Sequence, residues 1–508
     1  MSLPPAQRVT VIGSALLALF LGALDALVMS AAMPTIIADL GGLQLYSWVY
    51  SAYFLARAVS LPIFGKLADL FKTRRLFIGS IVLFSLSSAA AGCAVNMVTL
   101  IMARVIQGIA AGGIFALVYI VLADVSSPET RGRTLSLASS IWGIASVLGP
   151  TLGGFIVTYF SWRWIFFINI PLGAVSMWGI GTYLVELRPK KATVSLDLLG
   201  VATLSMAILA FLFAFLLGGR TYPWVSARII GLFAIFIIGT AAFILVEKRA
   251  RDPILPMGLF RNRGFSAGNA AVFLSSFAIF SMFAYAPLFI QGVQGKSPMQ
   301  VGVAMLSLSL GWSIGSIALG QVIDRMGRKV VAVAGALCLV CGCALTLAFG
   351  PETTTYFSFV TFFIIGIGMG FVALATLLVV QSAVPLQDLG VATASNQFAR
   401  TLGGTVGVGI GGSFIAARFA DLTQAIQERG LLESLPPGLA DKGLDQLEGL
   451  LRPDVLAALP DDIRLWVQAG VGQGVTEVFW TVLLAAVLCL LFCGLIPQGP
   501  ASAGRRKP

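Results

Sequence analysis

The stretch Val9-Thr10-Val11-Ile12-Gly13-Ser14-Ala15-Leu16-Leu17-Ala18-Leu19-Phe20-Leu21-Gly22-Ala23-Leu24-Asp25-Ala26-Leu27-Val28-Met29-Ser30-Ala31-Ala32-Met33 decides the fold. A helix of about 20 apolar residues crosses a bilayer, and this run is long enough. Asp25 sits deep inside it, with about a dozen non-ionisable residues on either side. A carboxylate at that depth costs about 2.5–3.5 kcal/mol on insertion scales. Such a residue points to binding or proton handling, and the chain reads as a transporter.

The rest of the sequence repeats the pattern. Of 508 residues, 58% are hydrophobic and 11% charged, with a mean hydropathy of +0.94. Soluble domains carry about 25% charged residues, so too little polar surface exists to cover a water-soluble globule. A β-barrel would alternate in polarity over segments of about ten residues, whereas these runs are continuously apolar. The run from Val9 is too long for a secretory signal and is read as an uncleaved first span. The net charge of +11 does not indicate nucleic acid, because the cations fall in short clusters between spans. Six cysteines lie within apolar runs and imply no disulfide framework. There is no histidine, no metal-ligand cluster and no phosphate-binding glycine loop, so neither a metal site nor an enzyme is expected.

Fourteen spans are expected, at 9–34, 46–66, 75–94, 97–123, 134–158, 163–185, 197–218, 227–246, 265–291, 299–321, 330–349, 355–383, 389–417 and 474–496. With an even count both termini share one side. That side holds 21 Lys and Arg residues and the short opposite loops hold 4, which places both termini in the cytoplasm of a multi-pass cell-membrane protein. The outer segment 419–472 is acidic, with apolar residues at helical spacing from Leu447 to Leu459. It reads as a solvated hairpin or as a lid.

An internal repeat is visible. Gly65-Lys66-Leu67-Ala68-Asp69, followed by Lys72, Arg74 and Arg75, ends the second span. Gly320-Gln321-Val322-Ile323-Asp324-Arg325-Met326-Gly327-Arg328-Lys329 ends the tenth. The halves are expected at 1–187 and 265–508, separated by a two-span insert within 188–264. Parallel repeats of this kind are a known transporter architecture. The inserted spans hold no ionisable residue from Leu198 to Leu217 or from Ile229 to Val246, and are expected to face lipid or packed protein rather than a polar pathway.

Each repeated loop is positioned as a latch between the halves: glycine lets helices approach, while aspartate caps a helix and pairs with arginine. In span 4, Arg104 lies inside the apolar run and needs a partner or water, and Asp25 is the natural one. Gln107 shares its helix face. In span 5, Pro150 removes a backbone donor and is expected to kink the helix, while Gly149 and Gly153, followed by Gly154, form a close-contact face. Arg57 is unexpected in span 2. It either neutralises Asp25, attracts an anionic or lipid headgroup, or faces a water-filled vestibule. Phe20, Tyr53, Phe115, Tyr119, Phe283, Tyr285, Phe289 and Trp312 are candidate cavity aromatics, with simple packing as the alternative for each.

Together these stretches resemble the major facilitator superfamily and, within it, the fourteen-span drug:proton antiporters. The resemblance rests on Leu24-Asp25 with Ala32-Met33-Pro34-Thr35, the two loops, Arg104-x2-Gln107-Gly108, and Gly149-Pro150-x2-Gly153-Gly154. Trp162-Arg163-Trp164-Ile165-Phe166-Phe167-Ile168-Asn169-Ile170-Pro171 and Arg400-Thr401-Leu402-Gly403-Gly404 complete it. Departures are Leu70, Lys72 and Thr73 in the first loop, Ala145 before the span 5 motif, and the lack of an acid between 299 and 321. The resemblance implies an all-α membrane protein of two pseudo-symmetric six-helix bundles plus two inserted helices. It implies a monomeric exporter of hydrophobic, cationic compounds (multidrug efflux) that exchanges them for protons and uses no cofactor. Export of a lipid or amphiphilic metabolite, proton symport and a non-transporting membrane sensor are the other readings.

Overall fold

The computed structural model describes residues 4–40, 46–127, 130–186, 197–219, 221–250, 253–296, 298–385, 388–428 and 461–498. Some side chains inside helices, Pro150 and Asp324 among them, lie outside the described set, as do the expected outer helices between 429 and 460.

The expected spans appear as α1 (Pro5–Leu40), α2 (Tyr46–Leu70), α3 (Thr73–Gly92), α4 (Met97–Asp124) and α5 (Arg131–Tyr159). The sixth is split into α6 (Trp164–Phe167) and α7 (Asn169–Tyr183). The insert is α8 (Leu198–Leu217) and α9 (Ala227–Glu247). The second half comprises α10 (Arg263–Gly292), α11 (Pro298–Met326), α12 (Arg328–Thr346), α13 (Thr355–Ser382), α14 (Leu389–Glu428) and α15 (Asp461–Leu495). Helices are forced by the solvent: in hydrocarbon every backbone donor and acceptor must be satisfied within the segment. Among the described residues, 11 helices are long and apolar enough to cross a membrane on composition alone. Two of the others, α2 and α14, carry their polar residues where the two halves meet.

The first six spans pack into one bundle and the last six into another. The bundles touch along α2 with α14 and α5 with α11, the pairing that the internal repeat requires. Small residues set these contacts. A Cβ on Gly65 would lie 2.2 Å from the Ala394 Cβ, and one on Gly390 would lie 2.5 Å from the Gly65 carbonyl oxygen. On the other seam, a Cβ on Gly320 would lie 2.9 Å from the Gly132 carbonyl oxygen, and one on Gly143 would meet Ser313. The halves are thus closed against each other at the basic end, which carries Lys72, Arg74 and Arg328.

The residues from Arg131 to Tyr159, Pro150 included, form one continuous helix. One feature departs from expectation: the sixth span is broken at Ile168, where Pro171 has no N–H to return to Phe167. The Ser88 hydroxyl donates to the Phe166 carbonyl at that break, at 2.8 Å.

At the opposite end, Asp39 of α1 accepts from Trp162 Nε1 at 2.9 Å and Arg163 Nη1 at 2.8 Å. These hydrogen bonds, Trp162 first, hold its pKa below the ordinary 3.8. The clamp's contribution is therefore present above that value and is lost as pH falls through the lower folded-state pKa. Asp39→Asn should unfold earlier than the native chain at neutral pH, with the difference in melting temperature closing under strong acid. Separately, Gly390→Val should hold the basic end apart, lengthening the distance between spin labels on α2 and α14 measured by electron–electron resonance.

Candidate functional site

Asp25 and Arg104 meet inside the first bundle. Arg104 Nη1 lies 2.5 Å from Asp25 Oδ2, with the side chains 0% and 2% exposed. Gln107 Nε2 donates to Asp25 Oδ1 at 2.8 Å, and its Oε1 accepts from Arg104 Nη1 at 2.8 Å. Asn169 Nδ2 donates to the same Asp25 Oδ1 at 3.0 Å and to Ser88 Oγ at 2.9 Å. The helix break at Ile168 places Asn169 at the start of α7, where its side chain reaches α1 and α3. In the sequence Asn169 stands only within the longer pattern Trp162 to Pro171. Neither its role nor that of Ser88 was legible, since both depend on three helices converging.

The approach of α2 to α4 completes the arrangement. A Cβ on Gly108 would lie 2.4 Å from the Tyr53 carbonyl oxygen, and one on Gly112 would lie 2.8 Å from that of Arg57. This small-xxx-small face brings α2 close. The Tyr53 ring then lies 4.1 Å from the Arg104 guanidinium and 5.9 Å from that of Arg57, while its hydroxyl donates to the Gly22 carbonyl at 3.3 Å. From the other side, Gly149 of α5 packs on Leu27, two residues from Asp25.

Beyond Tyr53 a cavity of about 280 Å³ lies between the bundles, lined by α2, α4, α5, α8, α10 and α14. Its walls include Phe54, Arg57, Phe115, Trp142, Phe280, Gln397 and Arg400. Two expectations are corrected here, on the aromatics and on the insert. Asp25 and Arg104 are not among the described lining residues and pair within the first bundle. Of the candidate aromatics only Phe115 lines it. Tyr53 supports the ion pair and Tyr119 is buried in the first core. Phe289 packs with Phe349 and Phe479, Tyr285 bonds the Val408 carbonyl, and Trp312 lies under Arg400 at 4.9 Å. Phe20 and Phe283 pack against the cores of their own bundles. Finally, the inserted α8 reaches the pathway after all: Leu212, Phe215 and Leu216 close one wall, since α8 packs across α2 and α14.

The first loop bridges the halves. Asp69 Oδ1 accepts from Gly390 N and Oδ2 from Val391 N, both at 2.9 Å. It therefore caps α14 of the opposite bundle rather than the adjacent α3. The Arg74 side chain is exposed, and its backbone N donates to Glu186 Oε1 at 2.9 Å. In the second loop, Gly327 has φ +84°, a conformation that glycine adopts without strain, and starts α12, with Arg325 and Arg328 exposed. Gly153 is buried and Gly154 half-buried on α5.

A transporter is defined by this combination of paired bundles, an intervening cavity and an intramembrane ion pair. The Major Facilitator Superfamily model matches residues 15–408, and the chain belongs to that family. It is a multi-pass membrane transporter and not an enzyme. It is 33% identical over 507 residues to the multidrug transporter protein MdtP of Bacillus subtilis, covering 96% of this chain and 91% of the relative. It is 32% identical to multidrug resistance protein 3 of the same organism, covering 94% of each. To the efflux pump dotC of Dothistroma septosporum it is 32% identical, covering 97% of this chain and 84% of the relative. Among solved structures, the human organic anion transporter MFSD10 superposes with a TM-score of 0.62 at 15% identity, covering 96% of this chain and 100% of the other. The proton:xylose symporter XylE gives 0.58 at 15%, covering 97% and 96%. These two likenesses concern the fold alone.

Removing one member of a buried ion pair costs about 3–5 kcal/mol, whereas replacing both by apolar groups is often neutral. Arg104→Met alone should therefore lower the melting temperature in detergent more than Arg104→Met combined with Asp25→Leu.

Proposed function

We propose that the protein is a proton-driven exporter of hydrophobic small molecules, working by alternating access across the cell membrane with both termini in the cytoplasm. The names of the relatives support multidrug efflux, and the 21-to-4 distribution of cations supports the orientation. The observation that carries proton coupling is the ion pair. Asp25 is a buried carboxylate whose charge is compensated by side chains on α4 and α7.

Proton uptake by Asp25 removes the charge that holds Arg104 Nη1. Arg104 Nη2 and Asn169 Oδ1 are buried without a hydrogen-bond partner among the described residues, so the network can exchange partners. A displaced Arg104 guanidinium moves against the Tyr53 ring, and Tyr53 contacts Arg57 at the cavity. This chain of contacts links protonation to cargo without their sharing one chamber. The same event must loosen the basic end. There the Asp69 cap on α14 and the Gly65–Gly390 contact are the latch that opens when cargo is loaded.

The cavity offers no carboxylate to a cationic cargo among its described lining residues. Arg57 and Arg400 favour the second reading, export of an amphiphile. Asp25→Asn is expected to insert and bind cargo yet lose uphill flux in proteoliposomes carrying a pH gradient. Undiminished proton-coupled flux in that variant would remove Asp25 from the mechanism.

A further inference from the structure

We infer that the central cavity is built for an amphiphilic anion, with Arg57 and Arg400 as its charge partners. This inference rests on the export reading and adds the charge of the cargo. Arg57 is 7% exposed and Arg400 8%, and both line the cavity. The Arg57 guanidinium carbon lies 4.8 Å from the centroids of both Phe54 and Phe115. The two rings hold the cation by cation–π contact, which leaves its N–H groups for hydrogen bonding. Some of these groups are open: Nε and Nη1 of Arg57 are buried and have no hydrogen-bond partner among the described residues. Arg400 stands over Trp312 at 4.9 Å, with one long hydrogen bond to Gln397 at 3.4 Å. Among the described residues, no carboxylate forms an ion pair with either arginine.

Two guanidiniums facing one low-dielectric chamber repel each other, and Arg57 leaves two buried N–H groups without an acceptor among the described residues. A carboxylate, sulfonate or phosphate oxygen corrects both deficits through charge-assisted bonds. Much of the remaining wall is apolar, formed by Leu55, Leu61, Trp142, Leu212, Phe215 and Phe280, with Ser51, Thr401 and Thr405 adding hydroxyls. The occupant therefore has an anionic head and a compact apolar body. At about 280 Å³ the cavity is slightly smaller than ordinary ligand pockets, which range over about 300–1,000 Å³, so the body is small.

Charge balance gives an independent readout. Outward movement of a monoanion and inward movement of one proton displace charge in the same sense. An inside-negative potential therefore drives that exchange, whereas one-for-one exchange of a monocation for a proton is electrically silent.

The test uses the full chain in phosphatidylcholine vesicles and two probes with one ring system, anthracene-9-carboxylate and 9-(aminomethyl)anthracene. Binding is followed by tryptophan quenching and efflux from loaded vesicles by fluorescence. The carboxylate is expected to bind about tenfold or more tightly than the amine, a difference of about 1.4 kcal/mol. A potassium diffusion potential, negative inside, should accelerate its efflux. Arg400→Gln and Arg57→Gln should each erase the preference, and Arg400→Lys should keep part of it. The preference in the native chain needs no variant, so misfolding of one substitution leaves the test intact.

Equal or tighter binding of the amine by the native chain overturns the inference, and uncoupler-sensitive efflux of the amine would then leave the export reading standing. Preferential carboxylate binding without uphill flux of either probe supports the anion site and sinks the export reading instead. Displacement of the carboxylate by added phosphatidylglycerol identifies a lipid headgroup as the occupant, and its absence identifies a free anion; both support an anion site.

Discussion

The ion pair between Asp25 and Arg104 is the constraint around which the first bundle is arranged. Neither charge is tolerable alone at this depth, and both are withdrawn from water. Their compatibility depends on four helices meeting: α1 supplies the carboxylate, α4 the guanidinium and Gln107, α7 Asn169, and α3 the Ser88 that orients Asn169. The glycines at 108, 112 and 149 matter because each lets a neighbouring helix come close enough to complete this shell. Packing and electrostatics are the same problem here, since a helix held off by one methyl group would leave a charge partly uncompensated.

The seam between the bundles obeys a different logic. Its closest contacts are glycine backbone, alanine and serine, with one carboxylate capping a helix of the other half, and Leu135, Leu319 and Ile323 are buried beside them. The inserted α8 lies over α2 and α14 and contributes apolar side chains to the cavity wall. The insert therefore supplies part of the cavity wall. In contrast, α9 turns Ile230, Ile235, Ile237, Ile238 and Leu245 outward, as expected for a lipid-facing helix.

Cavity and ion pair are neighbours separated by one aromatic ring. Tyr53 touches both guanidiniums, and its hydroxyl is fixed to α1. Coupling through a packed ring needs no shared water path, only that Arg104 and Arg57 cannot both keep their positions when the charge on Asp25 changes.

The sequence by itself determined a membrane transporter of two repeated halves, because hydropathy, cation placement and loop motifs are local properties that the bilayer reads one span at a time. It also narrowed the partners of Asp25 to the two arginines of the apolar runs, Arg104 and Arg57, and the structure pairs it with Arg104. Tertiary structure alone decided what the cavity contains. Aromatic residues are equally at home in a core and on a pathway wall, so Phe289 and Tyr285 could not be told from Phe54, Trp142 and Phe280 before the helices were rotated into place. It likewise decided that Asp69 reaches across to α14 and that Arg57 and Arg400 share one chamber. Those pairings join residues more than 300 positions apart, and which helix faces meet at the seam is fixed by packing that no single span encodes.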